Sequence, residues 1–256
     1  MKDYEGRLEI YFAVTCAQDN LKGFARYLTM EALVKRLVPD RVEDFDVQKS
    51  DSLLNTVFRF KSLFDESVYK DDNARRLMSN YVAAYFYLGL AYKHQGNLDA
   101  AIATFEVADR FGHNRVLPVE YWLSYLYTEK GELAKAEKRL LQALSDDPSV
   151  PLSYMLGKIY LAQNRSEEAR ELFEQAIKLN AKEPSGYGGL LQLYDETGYA
   201  ERVTALLDSL PEDPQLVSKL VYLLKTEDRE DLAQLVLKRW VATHPRDTSA
   251  SKLLKQ

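Results

Sequence analysis

Tyr81–Pro118 reads YVAAYFYLGLAYKHQGNLDAAIATFEVADRFGHNRVLP. It holds two short amphipathic segments that meet at Gly96-Asn97, with apolar residues at helical spacing on each side of the junction. The same pattern returns about every 34 residues to the C-terminus. A chain built this way is predicted to be a run of helical hairpins, each burying its apolar stripe against the next. Such an array offers a surface for holding something. It does not by itself supply chemistry.

Successive units begin near Val82, Leu117, Val150, Pro184 and Pro214. The first places Leu88-Gly89 and Tyr92 on its leading segment and Ala101, Phe105 and Ala108 on its second. The second unit has Leu123, Tyr127, Gly131, Ala136, Leu140, Ala143 and Pro148 in the matching places, and the third has Leu156-Gly157, Tyr160, Ala169, Phe173 and Ala176. Small residues let two helices approach, and large ones fill the space between hairpins. Pro148 stops a second helix. The fourth unit keeps Tyr187, Leu190, Tyr194 and Gly198, but Val203 and Leu207 replace the small and aromatic residues. The fifth keeps Ala233, Leu237, Trp240 and Pro245. Together these residues resemble the tetratricopeptide repeat, a helix-turn-helix unit. The fold class expected is all-α: a superhelix of about five hairpins over 82–256, preceded by an α-rich cap over 1–81 containing one short strand.

The cap is less regular. Arg7–Thr15 (RLEIYFAVT) is β-branched and aromatic and reads as the single convincing strand, with no partner in view. Gln18–Gly23 reads as a polar loop. Phe24, Tyr27, Leu28, Ala32, Leu33, Leu37 and Val38 fall at helical spacing, ended by Pro39. Residues 40–49 read as a charged linker, and Ser50 or Asp51 as the cap of a helix covering Leu53, Leu54, Val57, Phe58 and Phe60. A turn over Phe64–Asp72 follows, and Asn73 or an adjacent acid begins the helix that enters the first repeat.

Short matches across this region carry a second resemblance. Tyr11–Thr15, Gly23, Tyr27-Leu28, Met30-Glu31, Arg36–Pro39, Val68-Tyr69, Asp72-Asn73, Arg75–Leu77 and Ser79–Tyr81 are similar to the region that follows the membrane spans in a bacterial family. Its members are multi-pass membrane proteins that look like protein O-mannosyltransferases, with a tail carrying helical repeats. The resemblance covers roughly residues 7–82. It implies that this chain is the tail of a larger membrane protein, on its periplasmic side, and that any transferase active site lies upstream. No catalytic residue is carried over. Without the resemblance, the expected compartment is cytoplasmic.

Composition narrows the function classes. With 256 residues and 46% hydrophobic content, the chain can bury a sizeable core. Its formal net charge of -5 provides no basic field for nucleic acid. No apolar run reaches the ~18 residues that span a bilayer, so no direct membrane insertion is expected. The single cysteine, Cys16, excludes an internal disulfide and reads as a small buried apolar side chain. His94, His113 and His244 form no metal-binding spacing and read as surface or hairpin-end residues. Ser185-Gly-Tyr-Gly-Gly189 lacks the strand and the Gly-Lys-Ser/Thr ending of a phosphate loop and reads as a hairpin junction. Asp71-Asp72 reads as a helix cap, Asp146-Asp147 as a solvated turn, and Asn164-Arg-Ser166 as a chance sequon. No catalytic, metal or cofactor-binding residue is assigned.

One constellation points to binding. In tetratricopeptide arrays the first helix of each hairpin lines the concave face, which by this register carries Phe86, Leu90, Tyr121, Tyr125, Tyr154, Lys158, Gln192 and Tyr222. Aromatic rings give large contact area with few rotamers to freeze, and suit an extended or helical peptide, or a sugar ring. The same residues also serve as filler between hairpins. Tyr121, Trp122 and Met155 stand where a lysine-asparagine clamp for a peptide C-terminus would need its polar residues. The expected function is a non-catalytic scaffold for a protein or peptide. The alternatives are an accessory domain helping a membrane glycosyltransferase recruit its acceptor, and a self-associating scaffold forming a homo-oligomer.

Overall fold

The computed structural model describes residues 9–16, 18–21, 23–38, 45–60, 63–65, 67–112 and 116–254. They divide into two compact units, Met1–Gly131 and Glu132–Gln256. Among the described residues helices dominate, with a small sheet near the N-terminus.

The first unit opens with that sheet. β1 (Ile10–Ala13), β2 (Leu28–Glu31) and β3 (Val34–Leu37) are antiparallel in the order β1-β3-β2, with Ile10 opposite Leu37 and Glu31 opposite Val34. Two expectations are corrected. The strand at Ile10–Ala13 is not the only one, and its partner lies within this chain. The helix expected over 24–38 is a 3-10 turn (Ala25–Tyr27) followed by a β-hairpin. All four residues of β2 are buried, Thr29 and Glu31 included. A strand covered on both faces shows no period-2 alternation, so its apolar residues matched a helical template by coincidence. Ala32, at φ +53, turns the chain between β2 and β3. The buried Glu31 carboxylate accepts a hydrogen bond from Arg36 Nε, which satisfies a charge that would otherwise be costly to bury. Pro39 and residues 40–44 lie outside the described residues, as do Arg7 and Leu8.

α1 (Val47–Ser52) packs on β2: Ser50 Oγ accepts the Ala32 N–H at 2.9 Å. Its cap is Asp46, which accepts from the Lys49 N–H, rather than Ser50 or Asp51. The helix passes into a π-helical turn over Leu53–Val57, and Phe58 is extended, so Phe60 lies beyond it. There Phe60 joins an aromatic knot, 5.1 Å from both the Tyr81 and the Phe111 rings, with Phe64 4.6 Å from Phe111. The buried Tyr85 hydroxyl donates to the Leu54 carbonyl at 2.9 Å. These contacts fasten the irregular segment to α2 (Asp72–His94) and α3 (Leu98–Gly112). Asp71 caps α2 by accepting the Ala74 N–H at 2.7 Å, as an acid at that point should. The expected cap-to-repeat boundary at 81/82 falls inside this helix.

α4 (Leu117–Glu129) completes the first unit, and α5 (Leu133–Asp146) opens the second. α6 (Val150–Ala162), α7 (Ser166–Leu179), α8 (Ser185–Glu196), α9 (Ala200–Asp208), α10 (Pro214–Thr226) and α11 (Glu230–Thr243) follow. The expected starts at Leu117, Val150, Pro184 and Pro214 coincide with the starts or caps of α4, α6, α8 and α10. Packing follows the small-large scheme. A Cβ on Gly89 would lie 2.8 Å from the Phe105 ring, and one on Gly157 would lie 2.5 Å from the Phe173 ring. Phe105 and Phe173 are fully buried, as are Ala101, Ala136 and Ala169. Gly189 of α8 also meets the Phe173 ring, so one ring packs against both α6 and α8. That accounts for the glycines of Ser185–Gly189: they are helix-packing positions, as a hairpin junction requires. In the fourth hairpin Val203 and Leu207 are buried in place of the usual small and aromatic pair. A further helix, α12 (Thr248–Leu253), lies beyond the expected elements. Asp247 caps it and also accepts the Trp240 indole N–H at 2.9 Å, closing the end of the array.

Candidate functional site

The eight residues assigned to the inner face divide between the two units. In the first, Phe86 is half-buried on α2, its ring edge-on to Phe105 at 5.5 Å. It lines an open apolar cavity of about 520 Å³ with Met78, Val82, Phe111 and Val116. Leu90, one turn on, is half-buried. On α4, Tyr121 and Tyr125 flank Trp122, each edge-to-face with the indole at 5.6 Å. The Lys93 ammonium of α2 lies 4.9 Å from the Trp122 ring centre and 5.5 Å from that of Tyr125. An ammonium over two aromatic faces is attracted by their quadrupoles. Burial, helped by Glu129 and Tyr121, raises the Tyr125 pKa, so its hydroxyl remains neutral. Lys93 is not among the residues that the repeat register singles out. Its signal in the sequence is its place in the last turn of α2, where a cation also suits the helix dipole.

In the second unit the structure brings three predicted residues together around one that the register does not assign to the inner face. Glu227, at the C-terminal end of α10, receives hydrogen bonds from the Tyr154 hydroxyl of α6 on one oxygen and from the Gln192 amide of α8 on the other. Lys158 Nζ of α6 lies 3.0 Å from that second oxygen and also donates to Gln192 Oε1. Gln192 is 2% exposed. Packing of the Tyr154 ring against Phe173 at 5.8 Å orients its hydroxyl. Burial pushes the Glu227 pKa up, but the hydrogen bonds from Tyr154 and Gln192 and the Lys158 charge outweigh it, so the pKa falls below the usual glutamate value. The carboxylate is therefore ionised wherever the network is intact. Tyr222 does not join: it is 72% exposed on α10.

Glu227 does leave a trace in the sequence. An acid at a helix C-terminus is disfavoured by the dipole, and the matching residues before the other hairpin turns are Gln95, Lys130, Gln163 and Thr197. A compensating partner offsets that cost. Elsewhere, His94 ends α2 and His244 caps α11, stacked on Trp240 at 3.8 Å, while His113 lies outside the described residues. Cys16 is half-buried rather than buried. Among the described residues no cluster of His, Cys, Asp and Glu has metal-binding geometry, and no helix is long and apolar enough to cross a membrane.

The family profile described as tetratricopeptide repeat matches residues 71–114, 121–184 and 154–198. No curated protein matches the sequence. Among solved structures, a tetratricopeptide protein of Thermus thermophilus is similar at 20% identity over 68% of this chain and 97% of its own, with a TM-score of 0.46. One from Parabacteroides merdae is similar at 20% identity over 77% of this chain and 73% of its own, with a TM-score of 0.49. YrrB, described as having an unusual peptide-binding site, is similar at 16% identity over 73% of this chain and 99% of its own, with a TM-score of 0.43.

Proposed function

We propose that this chain, whose matched segments are tetratricopeptide repeats, is a non-catalytic module that binds a protein or peptide along the first helices of its hairpins. The observation that carries this reading is the Tyr121–Trp122–Tyr125 group, three large half-buried rings on one helix with Lys93 over two of them. Rings held partly open in this way offer apolar area already fixed in orientation, which lowers the entropic cost of binding. An array of random peptides probed with the wild-type chain gives candidate ligands. Replacing Tyr121, Tyr125 and Tyr154 together by alanine is expected to weaken those ligands while far-ultraviolet circular dichroism stays unchanged. Retained affinity in that variant overturns the assignment.

The second reading makes the chain the recruiting domain of a membrane-bound glycosyltransferase. The resemblance of residues 7–82 supports it. The argument from a strand lacking its partner does not, because β1 pairs with β3. Sequencing the native reading frame upstream of Met1 tests it: a run of apolar spans supports it, and a stop codon immediately upstream overturns it.

A further inference from the structure

The polar network of the second unit has the form of an occupied binding site. Three donors on two helices, the Tyr154 hydroxyl, the Lys158 ammonium and the Gln192 amide, converge on one carboxylate. That carboxylate comes from a hairpin turn that lies 69 residues beyond Lys158 in sequence. The donors belong to the repeat register: Lys158 and Gln192 hold the same position in successive hairpins, and Tyr154 stands one turn before Lys158. Glu227 stands elsewhere in the repeat, immediately after α10, where the other hairpins carry Gln95, Lys130, Gln163 and Thr197. The donors thus come from helix positions and the acceptor from a turn position. The donors are fixed in helices by packing, Gln192 by burial and Tyr154 by the Phe173 ring. The acceptor sits on a turn followed by Asp228, a non-glycine residue at φ +56.

We propose that Tyr154, Lys158 and Gln192 form a carboxylate-recognition site that Glu227 occupies from within, and that a glutamate or aspartate side chain of a partner segment binds there by displacing it. The inference rests on the peptide-binding reading of the same helix faces. Charge complementarity selects the occupant: an ammonium, a phenol and a primary amide together stabilise an anion, and a planar carboxylate, with two oxygens each accepting separately, is the anion the geometry already holds. Glu227 and Lys158 keep part of their side chains in solvent, at 22% and 36%, so exchange does not require unfolding of the hairpin. Held in place, Glu227 lowers affinity for every acidic ligand by the free energy of its own contacts, as an internal competitor does.

The test uses the full chain and three hexapeptides: acetylated hexaglutamate with an amidated C-terminus, hexaglutamine with a free C-terminus, and hexaglutamine amide. Titration calorimetry should show roughly tenfold tighter hexaglutamate binding to Glu227→Ala than to wild type. Adding Lys158→Met to that variant should abolish the gain. Glu227→Gln serves as a second opening variant if the alanine variant folds poorly, and circular dichroism checks both. Three results overturn the inference: no gain in either variant, a gain that survives loss of Lys158, or a gain equal for hexaglutamine amide or confined to the free-terminus peptide. If the array peptides bind and Tyr121→Ala loses them while Glu227→Ala shows no gain, this inference alone fails. If no peptide binds at all, the peptide-binding reading fails with it.

Discussion

The helix faces of the two units differ in chemistry at one repeat position. Leu90 and Tyr125 stand there in the first unit, and Lys158, Gln192 and the exposed Tyr222 in the second. In the first the surroundings are apolar and aromatic: a cavity lined by Phe86, Met78 and Val82, and a lysine resting on Trp122 and Tyr125. In the second, Lys158 and Gln192 supply donors there, and the fold brings a carboxylate to them. The backbone position is therefore generic. What it contacts is decided by which side chain stands there and by what the adjoining turn supplies. The two regions also answer solvent differently, since a half-buried ring needs no partner whereas a buried amide must have one.

The shared scaffold sets the largest effect and should not distinguish the regions. Phe105→Ala and Phe173→Ala each empty the space behind a close glycine. Each is expected to cost about 3–5 kcal/mol in chemical denaturation. A much smaller loss at either one breaks the claim that both units are packed by one rule.

The two lysines should then separate the regions. Lys158→Met leaves the Glu227 carboxylate with two donors and no cation, at an expected cost of about 1–3 kcal/mol, discounted because the lysine is partly exposed. Lys93→Met removes an ammonium from ring faces at a cost of about 0.5–1 kcal/mol. Equal losses would mean that the network contributes no more than a surface contact.

Acid should sharpen the same contrast. The folded-state pKa of Glu227 lies below the usual glutamate value, although burial alone would raise it. Its contribution to stability is therefore present above the unfolded-state pKa, near ~4.3, and is lost as pH falls through the lower folded value. Thermal melts from about pH 6 to pH 3 should fall more steeply for wild type than for Glu227→Gln. Parallel curves would remove Glu227 from the account of acid sensitivity.

The regions also differ in how far sequence disclosed them. The hairpins were readable because Gly89, Gly157, Phe105 and Phe173 repeat a steric relation that one period encodes. The sheet escapes a local pattern because β2 is buried on both faces, and the contacts that hold it, Arg36 on the buried Glu31 and Ser50 on the Ala32 N–H, are ones that no local pattern predicts. At the helix faces the register correctly placed Tyr154, Lys158 and Gln192 on neighbouring first helices. It gave no account of Glu227, because a side chain on a turn is positioned by tertiary approach of α10 to α8. Gly188 shows how close that approach is: a Cβ there would lie 2.9 Å from Leu223 Cδ2.

The smallest expected effect concerns the hairpin turns, where the units differ again. Gly96 and Gly131 turn the chain in the first at φ +75, while the second uses Asn164 at φ +60, Gly198 at φ +74 and Asp228 at φ +56. All occupy the left-handed region that follows a helix end, which glycine enters without strain and asparagine or aspartate tolerates. Gly131→Ala should cost about 1 kcal/mol, since the added Cβ meets open space and only backbone strain opposes it. Asn164→Gly should change stability by less than about 0.5 kcal/mol, because relief of strain is offset by the greater freedom glycine gives the unfolded chain. Asp228→Gly should be equally quiet in a thermal melt, yet it frees the turn that carries Glu227. If the carboxylate is an exchangeable occupant rather than a fixed strut, that variant binds hexaglutamate more tightly than wild type with no matching loss of stability. A strut predicts the reverse, a lower melting temperature and unchanged binding, so one substitution on the turn separates the two roles.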